Sequence, residues 1–332
     1  MTTWSVNGTS SSPPEARAAR RGGGRLVVTD ARAAGASRRG ARGGAWLQAL
    51  PFAAVFAVFF VVPLLLTVMV SFFDYSAYAL IPDVTLRNYR EAFEGCADRL
   101  FAPAPELCTT LKTYLTTLRL ALTVWLITLL LGFAVAYFLA FHVRAVAWQI
   151  ALFLICTIPF WTSNVIRMIS FIPLLGRNGL INQMLMALGI VHAPLEWLLF
   201  SEFAVVLASV HLYTLFMIVP IFNAMLRIPR ALLEAAADSG ASPRQVLTNV
   251  VIPLSMPGIV IGSIFVITIV MGDFVTVGVM GGQQIASVGK MINTHMGALQ
   301  FPAAAAHAVL LLLTVLAIIW GLTRLVDIRK EL

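Results

Sequence analysis

An all-α membrane protein with six transmembrane helices is the fold class this sequence predicts, and three observations predict it. Of the 332 residues, 59% are hydrophobic and only 11% charged, whereas a soluble domain carries roughly 25% charged residues. The mean hydropathy is +0.88. The apolar residues also gather into runs of about 20, the length a helix needs to cross a bilayer. A water-soluble protein of this size could not cover its surface with so few charges, so most of the chain must face lipid or other membrane helices. Collagen-like, coiled-coil and disulfide-scaffold classes fail, because the 23 glycines lack a three-residue period and there are only 3 cysteines.

The first segment, residues 1–45, is the exception. Arg17, Arg20, Arg21, Arg25, Arg32, Arg38, Arg39 and Arg42 stand there against only Glu15 and Asp30, among Gly, Ser, Ala and Pro. Such a composition buries no core, so a disordered tail is expected. The net charge of +8 suggests nucleic acid until it is placed along the chain. No aromatic residues interleave with these arginines, so base stacking has no platform and nucleic acid is not expected as a partner. Setting topology and touching anionic membrane lipid is the expected role. The segment is too long and polar for a cleaved signal peptide.

The six predicted spans are Trp46–Val70, Leu115–Phe141, Val146–Phe171, Ser201–Met225, Ser255–Val279 and Ala303–Val326. Together they make a six-helix domain over residues 46–328, followed by a short carboxyl terminus, 329–332. Between the third and fourth spans, Gly176–Trp197 is only half apolar and is broken by Arg177, Asn178, Gly179, Gly189 and Pro194. It reads as a short helix on the membrane surface or dipping partly in. Pro51, Pro63, Pro159, Pro220, Pro253 and Pro257 each remove a backbone donor in or beside a span. Gly258 and Gly262 have the small-xxx-small spacing that lets helices approach closely.

An even number of spans puts both termini on one side. With the amino terminus inside, the tail arginines, Arg144, Arg227, Arg230, Arg244, Arg324, Arg329 and Lys330 all lie inside, 15 of the 23 basic residues. The connection Asp74–Lys112 then lies outside, with six acids and four bases. The positive-inside rule therefore places both termini in the cytoplasm. Cys96 and Cys108 both fall in that external connection. A disulfide between them is chemically allowed there, and two unpaired thiols are the alternative. Cys156, inside the third span, reads as a small buried hydrophobe.

The connection between spans four and five, about 228–254, carries the strongest local pattern. Glu234-Ala235-Ala236-Ala237-Asp238-Ser239-Gly240 is followed by nine residues and then Val250-Val251-Ile252-Pro253. The first part favours a helix, Gly240 breaks it, and Ser242-Pro243 opens a second short helix with serine as cap and proline at its first position. Two short helices across the inner face would make a rigid knob able to pass a push from a soluble partner to the helices behind it.

This pattern resembles the EAA loop of ABC-importer permeases, EAA-x3-G-x9-I-x-L-P, with Val250 and Ile252 as conservative replacements and Pro253 retained. The resemblance implies the type I ABC-importer permease fold in a bacterial inner membrane. It also implies that Glu234, Ala235, Ala236 and Gly240 dock in a cleft of an ATP-hydrolysing subunit. Three further stretches are similar to permeases of the spermidine/putrescine import group, of its PotB/PotH type: Ile158–Ser163, Leu174–Asn182 and Gly272-Asp273-Phe274-Val275. That family usually has Glu where Asp273 stands. Implied partners are a second permease forming a heterodimer, an ABC ATPase dimer and an extracytoplasmic solute-binding protein. ATP and Mg would sit on the ATPase, and this chain would bind no cofactor. Relatives of the group import iron complexes, phosphonates and opines, so other small solutes are alternatives to a polyamine.

An ionisable group in a span is costly unless it faces water, a partner or a substrate. Asp273 is therefore the candidate solute contact, with Trp161 and Tyr213 as aromatic faces for an ammonium group. Its alternative role is an interfacial acid or a partner of Arg167, and the aromatics have an alternative role as membrane-interface anchors. The five histidines have no metal-ligand spacing, and Gly289-Lys290 lacks the glycine and hydroxyl positions of a phosphate-binding loop, so no metal and no catalytic residue is assigned. A membrane enzyme acting on lipids would need a catalytic constellation that is not visible. A standalone channel or carrier would have no need of the EAA loop.

Overall fold

The computed structural model of the chain describes residues 50–76, 80–94, 96 and 108–325. The arginine-rich tail, the first residues of the first predicted span, the end of the sixth span and residues 329–332 lie outside the described residues. The chain divides into two compact units, one ending at Val61 and one beginning at Val62. Helix α1 (Leu50–Val70) runs across that division. It has no buried residue, and a π-turn over Ala57–Val61 precedes Pro63. The wider turn suits a residue that cannot donate the next backbone hydrogen bond and whose ring crowds the preceding turn.

After α1 the chain builds a small platform. Strands β1 (Asp74–Tyr75) and β2 (Leu80–Ile81) pair antiparallel, and helix α2 (Arg87–Ala92) follows. Buried Asn88 ties it together, its amide donating to the carbonyls of Ser71 at 3.0 Å and Phe73 at 2.8 Å. Arg87 pairs with Glu91 at 2.6 Å and Asp74 at 3.4 Å, and the Glu91 hydrogen bond holds its guanidinium above the ordinary arginine range. Cys96 and Cys108 are joined as a disulfide, and Cys108 immediately precedes helix α3.

Helix α3 (Thr109–His142) presents a buried stripe of small and threonine residues, among them Thr113, Thr117, Ala121, Val124, Thr128, Gly132 and Ala136. This spacing keeps one face thin, so α3 lies close against α7 (Glu202–Leu226) and α9 (Pro243–Gly272). A Cβ on Gly132 would sit 2.8 Å from Met217 Cγ, and one on Gly262 would sit 2.7 Å from Met217 Sδ. Trp125 donates across the same seam to Ser263 at 2.8 Å. The buried core runs along these three helices, with Met217, Ile221 and Val266 among its most enclosed side chains. Helix α12 (Phe301–Leu325) joins through its run of small buried residues, Ala303 to Ala306.

Two predicted elements differ from the structure. The third span is not one straight helix. Helix α4 (Val146–Thr157) passes through a tight 3-10 turn, Ile158–Trp161, and breaks before α5 (Asn164–Leu175). Pro159 sits in the turn, and Thr162 and Ser163 take extended backbone with ψ of 149° and 134°. The pair Val146–Trp161 and Asn164–Ala187 is bent by 86°. Among the described residues five helices are therefore long and apolar enough to cross a membrane, and the bent pair makes six if it counts as one span. The fifth span also ends earlier than expected, at Gly272, and is followed by α10 (Val275–Met280) and α11 (Val288–Gly297). Ser287 caps α11 by accepting from the Lys290 N–H, and Thr117 accepts from the Val288 N–H at 3.0 Å.

The half-apolar stretch after α5 forms helix α6 (Leu180–Ala187) and a returning loop held by Asn182, which is 0% exposed. Asn182 donates to the carbonyls of Gly176 and Leu195 and accepts from the Leu195 N–H at 2.8 Å. Asn182→Ala leaves these backbone groups unpaired in a buried place, so it should destabilise the chain by about 1–3 kcal/mol. Thermal unfolding of the purified protein checks this, and an unchanged midpoint would contradict it.

Candidate functional site

Two places carry the candidate residues. The first is the knob between α7 and α9. Helix α8 (Arg230–Asp238) has no buried residue, and Glu234, Ala235, Ala237 and Asp238 are exposed, with Ala236 half-buried. Glu234 makes no ion pair among the described residues. The end of α8 is a Schellman cap: the Ala241 N–H donates to the Ala236 carbonyl at 3.1 Å and the Gly240 N–H to that of Ala237 at 2.9 Å. Gly240 takes φ +84°, the left-handed conformation this cap requires. The chain then turns directly into a capping box, in which Ser242 and Gln245 exchange hydrogen bonds and Pro243 occupies the first turn.

The second helix is not short, as expected, but continuous with α9 to Gly272. Its entry contains a π-turn, Leu247–Val251, in which the Ile252 N–H reaches back to the Leu247 carbonyl. Val250 lies in that turn, Ile252 follows it, and Pro253 comes next with no N–H to donate. The same arrangement of π-turn, one residue and proline occurs in α1. The knob is thus rigid at both caps and joined to the membrane helix through one irregular turn.

The second place lies where α9 ends. Tyr213, 5% exposed on α7, donates to Asp273 Oδ2 at 2.5 Å, and the Thr276 N–H at the start of α10 donates to Asp273 Oδ1 at 3.0 Å. Asp273 is half-buried, so both carboxylate oxygens are held while lone pairs remain to accept from a further donor. Phe216 packs between Tyr213 and Phe265, with Phe160 edge-on to it at 5.6 Å.

The structure does not bring Trp161 into this arrangement. It is 85% exposed at the end of the 3-10 turn and makes no ring contact among the described residues. Nor does it form an Asp273–Arg167 bridge, since Asp273 is held by Tyr213 and Thr276. Arg167 instead donates to Asn164, and its Nε is buried without a hydrogen-bond partner among the described residues. It lines a cavity of about 150 Å³ with His211, Thr214 and Cys156, and Cys156 is partly exposed on this wall rather than enclosed in a core. His211, Asn164 and Thr276 carried no sequence signal except that Thr276 stands three residues after an Asp, the spacing of a helix-start cap.

Comparison with known proteins follows the same lines. Residues 130–330 match the family model described as "Binding-protein-dependent transport system inner membrane component". The spermidine/putrescine transport system permease protein PotB of Haemophilus influenzae is 33% identical over 253 residues, 75% of this chain and 82% of that protein. Its counterpart in Escherichia coli strain K12 is 32% identical over 225 residues, 67% of this chain and 81% of that protein. Among solved structures, a chain of a bacterial alginate ABC transporter, crystallised in complex with its alginate pentasaccharide-bound periplasmic protein, superposes with a TM-score of 0.61. It is 16% identical and the match covers 84% of this chain and 92% of that one.

Proposed function

Since the chain belongs to the binding-protein-dependent transport system inner membrane components, a family of multi-pass permeases rather than enzymes, we propose that it forms half of a translocation pathway for polyamines. A second permease completes the pathway as a heterodimer. An ABC ATPase dimer binds ATP and Mg and receives α8, and an extracytoplasmic binding protein delivers the solute to the opposite face. Both termini then lie in the cytoplasm.

The observation that carries the reading is the exposed α8, closed by a Schellman cap and followed by the capping box of α9, with Glu234 in no ion pair among the described residues. No ion pair among the described residues uses that carboxylate, and the Schellman cap that ends α8 leads directly into the capping box of α9. Any force on α8 passes into α9 and on toward Gly272, where Asp273 begins the next turn. The two relatives named for spermidine and putrescine support an amine solute, and Asp273 supplies a carboxylate for an ammonium group. Asp273→Asn keeps one oxygen to accept from the Thr276 N–H and offers an NH2 that donates to the Tyr213 hydroxyl, but removes the charge. Loss of one charge-assisted hydrogen bond should raise the KM for labelled spermidine or putrescine about tenfold in cells expressing the whole importer. An unchanged KM would remove Asp273 from the pathway.

One observation favours a different solute. Arg167, with a buried unpaired Nε beside a cavity, suits an anionic or zwitterionic cargo such as a phosphonate or an opine. Competition of labelled polyamine uptake by such compounds separates the two readings.

A further inference from the structure

A groove of about 660 Å³ flanks the α7–α9 crossing beside α8. It exists because the helices meet on glycine. A Cβ on Gly258 would collide with the Pro220 carbonyl and lie 2.7 Å from the Ala224 Cβ. Backbones this close force the neighbouring side chains apart, leaving a channel walled by Pro220 and Ala224 of α7, Leu254 and Ile261 of α9 and Leu232 of α8. The walls are apolar apart from Asn223, and Arg227 stands at the end of α7. Arg227, Arg230 and Arg244 are exposed and none forms an ion pair among the described residues.

An apolar trough ending in an unpaired guanidinium has the polarity of an amphiphile. We propose that the groove holds an acyl chain of an anionic phospholipid whose phosphate pairs with Arg227. This rests on the orientation proposed above, which puts α8 against the inner leaflet, where anionic headgroups attract basic side chains beside membrane helices. A protein ridge would fill the apolar walls but would not by itself answer Arg227, which lines the groove and forms no ion pair among the described residues. The lipid touches α8 through Leu232 and α9 through Leu254, so it braces the joint between the docking helix and the membrane.

The test uses the assembled importer in nanodiscs containing phosphatidylglycerol or phosphatidylcholine probes with a photoreactive group on the acyl chain. Peptides of α7 and α9 should be labelled about fivefold more by the phosphatidylglycerol probe, the factor expected of one arginine at a lipid surface. Arg227→Gln should remove that preference, and Leu254→Trp, which fills the groove, should lower labelling by both probes. If Leu254→Trp fails to assemble, Arg227→Gln decides alone. Equal labelling by the two probes, a preference that survives Arg227→Gln, or capture of a protein segment by a crosslinker at Ala224 would overturn the proposal. Labelling does not require transport, so the result stands apart from whether polyamines are the cargo.

Discussion

Glu234→Arg should leave the chain folded in the membrane and reduce coupled uptake to background. The side chain is exposed and forms no ion pair among the described residues, so reversing its charge breaks none of those pairs. What it changes is the face proposed to meet the ATPase, where a like charge opposite a basic partner costs several kcal/mol. Gly240→Leu separates shape from charge. A Cβ at Gly240 meets nothing within 4 Å, so there is room for the side chain. The backbone at φ +84° is the difficulty, and holding a non-glycine residue there costs about 1–2 kcal/mol. Relaxing that strain unwinds the Schellman cap and swings α8 relative to α9. Membrane abundance near the parent level with lost uptake in both variants is the expected pair of results. Normal uptake by Glu234→Arg would remove α8 from the coupling path.

The largest effect on folding is expected at Gly258. Its missing Cβ is what lets the Pro220 carbonyl and Ala224 of α7 lie against α9, and the obstruction is backbone, which cannot rotate away. Gly258→Leu must separate α7 from α9 along the seam that also holds Met217, Gly262 and Trp125. Overpacking of this kind costs about 1–3 kcal/mol or more. For a domain of this size that corresponds to a drop of roughly 2–5 °C in thermal midpoint. Gly272→Ala is the matched control, because a Cβ there meets nothing within 4 Å. Equal midpoints for the two variants would mean that the crossing tolerates separation.

The knob was the most legible part of the molecule because its chemistry is local. A glycine closing a helix and a serine directly before a proline are read within a few positions, and the structure places both caps there. The bend after Pro159 was hidden. The apolar run continues through it, and prolines in membrane helices are often accommodated without a break. Helix α11 was passed over because Val288–Gly297 is too polar to register as a span, although Ser287 before it and Gly297 at its end were local signs of a helix.

Tyr213 and Asp273 are 60 residues apart, and only the packing of α7 beside the end of α9 brings them together. The cost of an unpartnered acid at membrane depth pointed to some partner for Asp273, and the choice of Tyr213 over Arg167 is made by tertiary geometry. The Gly258 and Gly262 spacing signalled a close helix approach but not the groove beside α8. It follows from how two glycines seat on Pro220 and Met217.

We propose that this chain couples ATP hydrolysis on a partner to polyamine movement through α8. The most direct measurement is ATP hydrolysis by the assembled complex in liposomes, with binding protein added empty or loaded with spermidine or putrescine. Stimulation by loaded binding protein, lost when the complex carries Glu234→Arg, is the predicted result. Stimulation that persists undiminished in the Glu234→Arg complex would contradict coupling through α8. In an active complex, stimulation only by binding protein loaded with a different solute would contradict the polyamine assignment.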